Sequence, residues 1–261
     1  ASDVYKRQAL KFSQSMKKYI PNLITLCNLF SGSLAVIFAV QGNLVAAAFF
    51  VALGIFFDFF DGLAARALDV KSDVGLQLDS LADVVTSGVV PGIVMFQLFT
   101  MALPGDDGVK QWTSDTNWLE FTFNPLALFG LLIILGSAYR LAKFNVDDRQ
   151  TDSFIGLPTP ANALLILSLP LILTYQPNSF ATGIILNEWF LFALTIISVI
   201  ILNAELPLFA LKFKNWGFKG NEIRYIFLIL CVVLIVLFQF LAIPMIILSY
   251  VLLSVFFGKK N

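Results

Sequence analysis

Two pairs of aspartates stand out in this 261-residue chain. One lies in Asp58-Phe59-Phe60-Asp61-Gly62-Leu63-Ala64-Ala65-Arg66, the other in Gly75-Leu76-Gln77-Leu78-Asp79-Ser80-Leu81-Ala82-Asp83. Spacings of three and four put each pair on one face of a helix. The eight residues between Arg66 and Gly75 allow a turn that brings the two faces together. The flanking residues are apolar, and four carboxylates in such a setting are costly unless a cation compensates them. A salt-bridged helix contact is the bland alternative, and Arg66 alone does not supply the charge for it. Oxygen ligands of this kind suit Mg²⁺ or Mn²⁺ rather than soft metals. Two such ions would bridge a pyrophosphate and stabilise a leaving phosphate. Gly62 and Ala65 lack bulk, so a large anionic ligand could approach the helix backbone there.

The chain contains no histidine. That excludes a His base, a His metal ligand and a Ser-His-Asp triad, and leaves acid–base chemistry to carboxylates. Cys27 and Cys231 both lie in apolar segments far apart in sequence and read as small buried hydrophobes rather than a disulfide.

The elements that must hold the aspartates are membrane helices. Hydrophobic residues make up 58% of the chain and charged residues 13%, with a mean hydropathy of +0.84. A soluble domain would need far more polar surface, and a span needs about 20 mostly apolar residues. Eight spans are expected: Leu23–Val40, Leu44–Phe60 with a polar-faced extension to Leu68, Gly75–Thr100, Pro125–Phe144, Pro158–Tyr175, Trp189–Leu211, Ile223–Leu241 and Ile243–Phe257. Pro91-Gly92 is expected to kink the third, and Ala242-Ile243-Pro244 to turn between the last two. The fold class is therefore an all-α integral membrane bundle, with no soluble domain and no repeat.

The charge map orients it. With both termini inside, sixteen of the seventeen Lys and Arg residues are cytoplasmic, and only Lys110 lies outside. The exterior segment 102–124 carries Asp106, Asp107, Asp115 and Glu120 instead. Residues 1–15 are expected to be a non-native or disordered leader, because Ala1–Gln8 back-translate into a transposon-based sequencing adapter. Met16 then opens a single membrane domain, 16–261, whose first apolar run continues long enough to span.

The aspartate segment resembles the CDP-alcohol phosphotransferase family, matching D-x2-D-G-x2-A-R-x8-G-x3-D-x3-D at every fixed position. The resemblance implies a CDP-linked donor, two divalent metal ions, and attack by an alcohol with release of CMP. It makes Asp58, Asp61, Asp79 and Asp83 metal ligands, and Asp83 also the base that takes the acceptor hydroxyl proton. Asp58, Gly62, Ala65, Arg66 and Gly75 would line the CDP site. Four further pieces resemble the phosphatidylserine synthase branch: Pro21-Asn22 through Thr25 to Asn28, Gln77 to Asp83, Arg140-Leu141-Ala142-Lys143-Phe144-Asn145, and Gly156 to Ala161.

That branch implies CDP-diacylglycerol and L-serine as substrates, membrane lipid as surroundings and no nucleic acid; a homodimer is compatible with it. The cytoplasmic membrane of a bacterium, with the active site facing inward, is the expected location. Other acceptors, glycerol 3-phosphate or inositol, share the chemistry. A cation transporter would instead need carboxylates near the midplane on broken helices.

Outside the aspartate motif several readings stay open. Asn28 could simply hydrogen-bond a neighbouring helix. Arg140 and Lys143 are either positive-inside anchors or a cationic pocket for the acceptor carboxylate or the lipid phosphate. Pro158 and Pro160 read as helix-start residues, and Lys212, Lys214, Lys219 and Arg224 as headgroup contacts. The orientation is testable with Cys27 and Cys231 replaced. A membrane-impermeant thiol reagent added outside should label a cysteine at Asp107 and leave one at Lys214 untouched; the reverse pattern inverts the topology.

Overall fold

The computed structural model describes residues 17, 19–70, 72–103, 124–147, 154–208, 217 and 221–257. The leader with Met16, the acidic segment with Asp106, Asp107, Lys110, Asp115 and Glu120, and the basic residues Lys212, Lys214 and Lys219 lie outside these residues.

The chain opens with a helical hairpin. Helix α1, Tyr19–Val40, turns through Gly42, whose φ of +78° suits a residue without a side chain. Asn43 then caps α2, Leu44–Ala67, by accepting the Ala46 amide. The two helices meet through Ala35, Ala39, Ala47, Ala48 and Val51, all buried. Small residues are what close packing in a bilayer requires, because lipid supplies no hydrophobic drive between helices.

Asp69, in the left-handed region at φ 51°, turns the chain after α2. Ser72 caps helix α3, Asp73–Val84, by accepting the Gly75 amide. A π turn, Val85–Val89, leads from α3 into α4, Val90–Ala102. Here the structure differs from the kink expected at Pro91-Gly92. Pro91 has no amide to give the carbonyl four residues back, at Ser87, and its ring crowds that carbonyl. The irregularity therefore appears upstream of the proline, as a widened turn.

A 3₁₀ segment, Pro125–Leu131, feeds α5, Leu132–Val146. Gly130 sits against the α4 backbone, where an added Cβ would lie 2.7 Å from the Phe96 nitrogen. Helix α6, Thr159–Tyr175, has Pro158 as its N-cap residue and Pro160 in its first turn, as helix-start residues should be.

The expected span from Trp189 to Leu211 takes a different form. It is a bent pair, α7 (Ser179–Ile185) and α8 (Glu188–Asn203), meeting at 61°. The chain leaves the helix after Asn203, and strand β2, Pro207–Leu208, pairs antiparallel with β1, Phe154–Ile155. This two-residue ribbon is the only strand pairing among the described residues.

Helices α9, Glu222–Phe238, and α10, Ala242–Phe257, contain a 34-residue apolar stretch, Glu222–Val255, that could be mistaken for one long span. Yet the Phe227 and Tyr250 rings stand 5.6 Å apart, on opposite sides of the break and more than twenty residues apart in sequence. Collinear helices would separate them by roughly 35 Å at 1.5 Å per residue. The stretch is therefore a hairpin. Its turn falls at the 3₁₀ segment Gln239–Leu241, where Gln239 has φ 49°, rather than at Ala242-Ile243-Pro244.

By length and composition alone, five helical stretches could cross a membrane, six with the bent pair, and α6 is one shorter apolar helix of 17 residues. With the last stretch folded back, each of the eight expected apolar segments holds a helix, the sixth only as far as Asn203, and the protein is an integral membrane bundle.

Gly156 ties the ribbon to α8. Its φ is +76°, and a Cβ would lie 2.6 Å from the Leu202 carbonyl oxygen. Replacing it with alanine should destabilise the protein by about 1–3 kcal/mol for the backbone conformation alone. A lowered midpoint of thermal unfolding in detergent is the expected result; an unchanged one would remove Gly156 from the account.

Candidate active site

The antiparallel run of α2 into α3 sorts the four aspartates by depth. Asp61 and Asp79 each lie six residues from the helix end that meets the connecting turn, about 9 Å along the axis. Asp58 and Asp83 lie about 14–15 Å along it. The result is a shallow pair and a deep pair, with Asp61 buried and the other three half-buried. The charges of Asp83, Asp79 and Asp61 all bear on Asp58.

Helix α1 supplies the polar partners. Its buried face carries Pro21, Thr25, Asn28 and Gly32 at helical spacing. Thr25 Oγ1 lies 2.6 Å from Asp61 Oδ2, with the Pro21 carbonyl as the weaker competitor for its proton at 3.1 Å. The Asn28 amide donates to Asp83 Oδ1 at 3.4 Å, the outer limit of a hydrogen bond, and accepts from Thr86 Oγ1 at 2.8 Å.

Beside the shallow pair lies a cavity of about 570 Å³, bordered by Asn22, Thr25, Asp61, Gly62, Ala65, Ser72, Gly75 and Asp79 among others. Its size suits a nucleotide-sized ligand. Gly62 faces open space, since an added Cβ would meet nothing nearer than Arg66 Nη2 at 3.9 Å. Gly75 is needed for a different reason: a Cβ there would stand 2.9 Å from Ser72 Oγ and 3.0 Å from Asn22 Oδ1. Arg66 is exposed, and its Nε donates to the Gly62 carbonyl at 3.0 Å.

The carboxylates fit a divalent cation. Asp58, Asp61 and Asp79 each offer an oxygen, and these oxygens lie within 4.8 Å of one another. An octahedral Mg²⁺ with ligands at about 2.0–2.1 Å needs them roughly 3–4 Å apart, so small rotations suffice. Among the described residues no Lys or Arg forms an ion pair with any of the four aspartates. The donor set is all oxygen, and no ion pair among the described residues offsets its charge.

The two cations after α5's midpoint separate. Arg140 is 6% exposed, its charge acts on Asp83, and its guanidinium sits 5.8 Å from the centre of the Phe144 ring. Lys143 is half-buried and pairs with Glu205 at 3.4 Å. Nearby, Asn145 and Ser80 are hydrogen-bonded at 2.8 Å, joining the end of α5 to α3.

Reasoning from the sequence left Thr86 and Asn162 without a role, and left open whether Asn28 does more than bond a neighbouring helix. Asn28 does bond to a neighbouring helix, but its partner there is Asp83. Asn162, in the first turn of α6, is fully buried with neither amide atom hydrogen-bonded among the described residues. Arg140 Nε, Ser87 Oγ and Ser137 Oγ are also buried and unpartnered there. The available signal was polar residues at three-residue spacing in the apolar α1: Asn22, Thr25 and Asn28.

Residues 18–211 match the family model described as CDP-alcohol phosphatidyltransferase. The match covers well over half of the chain, which belongs to that family and is a membrane-embedded enzyme of its phosphotransferase class. Within the family it is 34% identical over 165 residues to a CDP-diacylglycerol–serine O-phosphatidyltransferase of Bacillus subtilis, covering 63% of this chain and 81% of the relative. An enzyme of the same name from Helicobacter pylori is 32% identical over 151 residues, 56% of this chain and 55% of the relative. An archaetidylserine synthase of Methanothermobacter thermautotrophicus is 31% identical over 165 residues, 62% of each chain. The alignments thus span little more than half the length of some relatives.

The Thr25–Asp61 contact is a support behind a candidate metal ligand. Losses of such outer partners commonly weaken metal binding by about 10–100-fold. Thr25→Val should therefore raise the Kd for Mn²⁺, read by electron paramagnetic resonance, into that range. Unchanged Mn²⁺ affinity would detach Thr25 from the metal site.

Proposed function

We propose that this protein transfers the phosphatidyl group of CDP-diacylglycerol to L-serine, producing phosphatidylserine and CMP. The observation that carries the reading is the convergence of Asp58, Asp61 and Asp79 beside a nucleotide-sized cavity. The names of the relatives support serine as the acceptor.

Asp58, Asp61, Asp79 and Asp83 would hold two Mg²⁺ or Mn²⁺ ions, which when bound neutralise the pyrophosphate and stabilise the departing CMP phosphate. Gly62, Ala65 and Gly75 leave room for the CDP moiety along the helix backbones, with Arg66 at its rim. Asp83 takes the proton from the serine hydroxyl, a poor nucleophile without a positioned base. The serine oxygen bonds to the phosphorus that carries the diacylglycerol, and the bond from that phosphorus to the CMP oxygen breaks. Arg140 holds the acceptor carboxylate or the lipid phosphate. The pairing of Lys143 with Glu205 supports an anchoring role for Lys143 instead.

The aspartates lie toward the helix ends that also carry Lys17, Arg66, Arg140 and Arg224, which supports a cytoplasmic site. Their grouping at one end, on helices continuous through each pair, weighs against an ion pathway across the bilayer.

The test is CMP release from CDP-diacylglycerol by purified protein with Mn²⁺ or Mg²⁺, each candidate alcohol supplied in turn. Serine should be the preferred acceptor; preference for glycerol 3-phosphate or inositol would keep the chemistry and reject the acceptor. In the same assay Asp83→Asn should lower turnover by about 10²- to 10⁴-fold without rescue by added metal. Asp58→Asn should instead recover part of its activity at high Mn²⁺. Equal rescue of both variants would make Asp83 chiefly a ligand.

A further inference from the structure

Asp83 has no backbone donor or cation hydrogen-bonded to its carboxylate among the described residues; the Asn28 amide is its hydrogen-bond partner there. Asn28 in turn is gripped by Thr86. We propose that Thr86, carried on the π turn, positions the Asp83 carboxylate through Asn28, an inference that rests on the reading of Asp83 as the base.

The chemistry of the three groups allows only one orientation of the amide. A carboxylate accepts from its neighbour, so the Asn28 nitrogen must face Asp83. That leaves the Asn28 oxygen toward Thr86, whose hydroxyl can donate to it at 2.8 Å. Without the Thr86 hydroxyl the Asn28 oxygen loses its donor, and the amide is free to rotate away from Asp83. Asn28 and Thr86 are both fully buried, so water does not substitute readily.

The fold is cut to admit this pair. An alanine methyl at Gly32 of α1 would stand 3.2 Å from the Thr86 Cα and closer still to its hydroxyl. One at Gly54 of α2 would stand 2.7 Å from Thr86 Cγ2 and 2.8 Å from Asn28 Oδ1. Two glycines on two helices thus vacate the space that Thr86 and Asn28 occupy. In a regular α-helix Thr86 would follow Asp83 by three residues at about 300° around the axis. The π turn begins between them, at Val85, and changes the direction in which Thr86 points. Such turns recur at functional sites.

The variants that separate positioning from packing are Thr86→Val, which keeps the shape and loses the hydroxyl, and Thr86→Ser, which keeps the hydroxyl and loses the methyl. Thr86→Val should lower kcat by on the order of 10- to 100-fold, the scale of a displaced catalytic group. KM for CDP-diacylglycerol and for serine should stay as in the parent. Thr86→Ser should recover turnover. If valine is not accommodated, Thr86→Ala removes the same hydroxyl.

In an Asn28→Ala background the hydroxyl has nothing to orient, so Thr86→Val should cause no further loss. Parental kcat for Thr86→Val, an equal loss for Thr86→Ser, or a full additional loss in the Asn28→Ala background would each overturn the proposal. Asp83→Asn run alongside distinguishes the two failures. If Asp83→Asn retains turnover, the base assignment fails; if Asp83→Asn is inactive and Thr86→Val is normal, only the positioning role fails.

Discussion

Negative charge that no ion pair offsets among the described residues is the constraint on which the arrangement depends. An Asp at the centre of a membrane-inserted helix costs about 2.5–3.5 kcal/mol, so four would cost on the order of 10 kcal/mol. That is comparable to the whole stability of a typical domain. The cluster lies toward the helix ends at the α2–α3 turn, Asp61 and Asp79 border an open cavity, and oxygens of Asp58, Asp61 and Asp79 lie within 4.8 Å of one another. An ion pair would have relieved the same cost, but Arg66 turns back to its own helix at Gly62 and Lys143 goes to Glu205. Among the described residues Arg140 alone acts on the cluster, at Asp83, and the Asp58, Asp61 and Asp79 oxygens together could hold a metal ion.

Holding that charge in register requires helices that approach closely in a medium giving no hydrophobic drive between them. The α1–α2 hairpin does this with alanines and valine deep in the bundle and with Gly32 and Gly54 next to the site. Close approach alone would not orient carboxylates, so α1 adds Thr25 against Asp61 and Asn28 against Asp83. The irregular π turn then brings Thr86 to Asn28. Packing and polar bonding thus act at the same place: the residues that lack side chains make room for those whose side chains point at the aspartates. The α9–α10 hairpin stands apart from this, with only a few residues of its two helices buried.

The sequence by itself determined the chemistry and the class of fold. Charged side chains at helical spacing, runs of about 20 apolar residues and the absence of histidine are local properties, and none needs a neighbour to be read. The aspartate pairs, the eight apolar segments and the helix-start prolines Pro158 and Pro160 all follow from such features. Tertiary structure decided whatever depends on which surfaces meet. The turn between the last two helices lies at Gln239–Leu241, and not at the more conspicuous proline, because Phe227 and Tyr250 pack across it. The strain of Pro91 is relieved one turn upstream. Arg140 turns to the site and Lys143 away from it, although they stand three residues apart, because α3 with its aspartates approaches one and Glu205 the other. Spacing along one helix tells which residues share a face; only packing tells what that face touches, and at this site the contacts assign the roles.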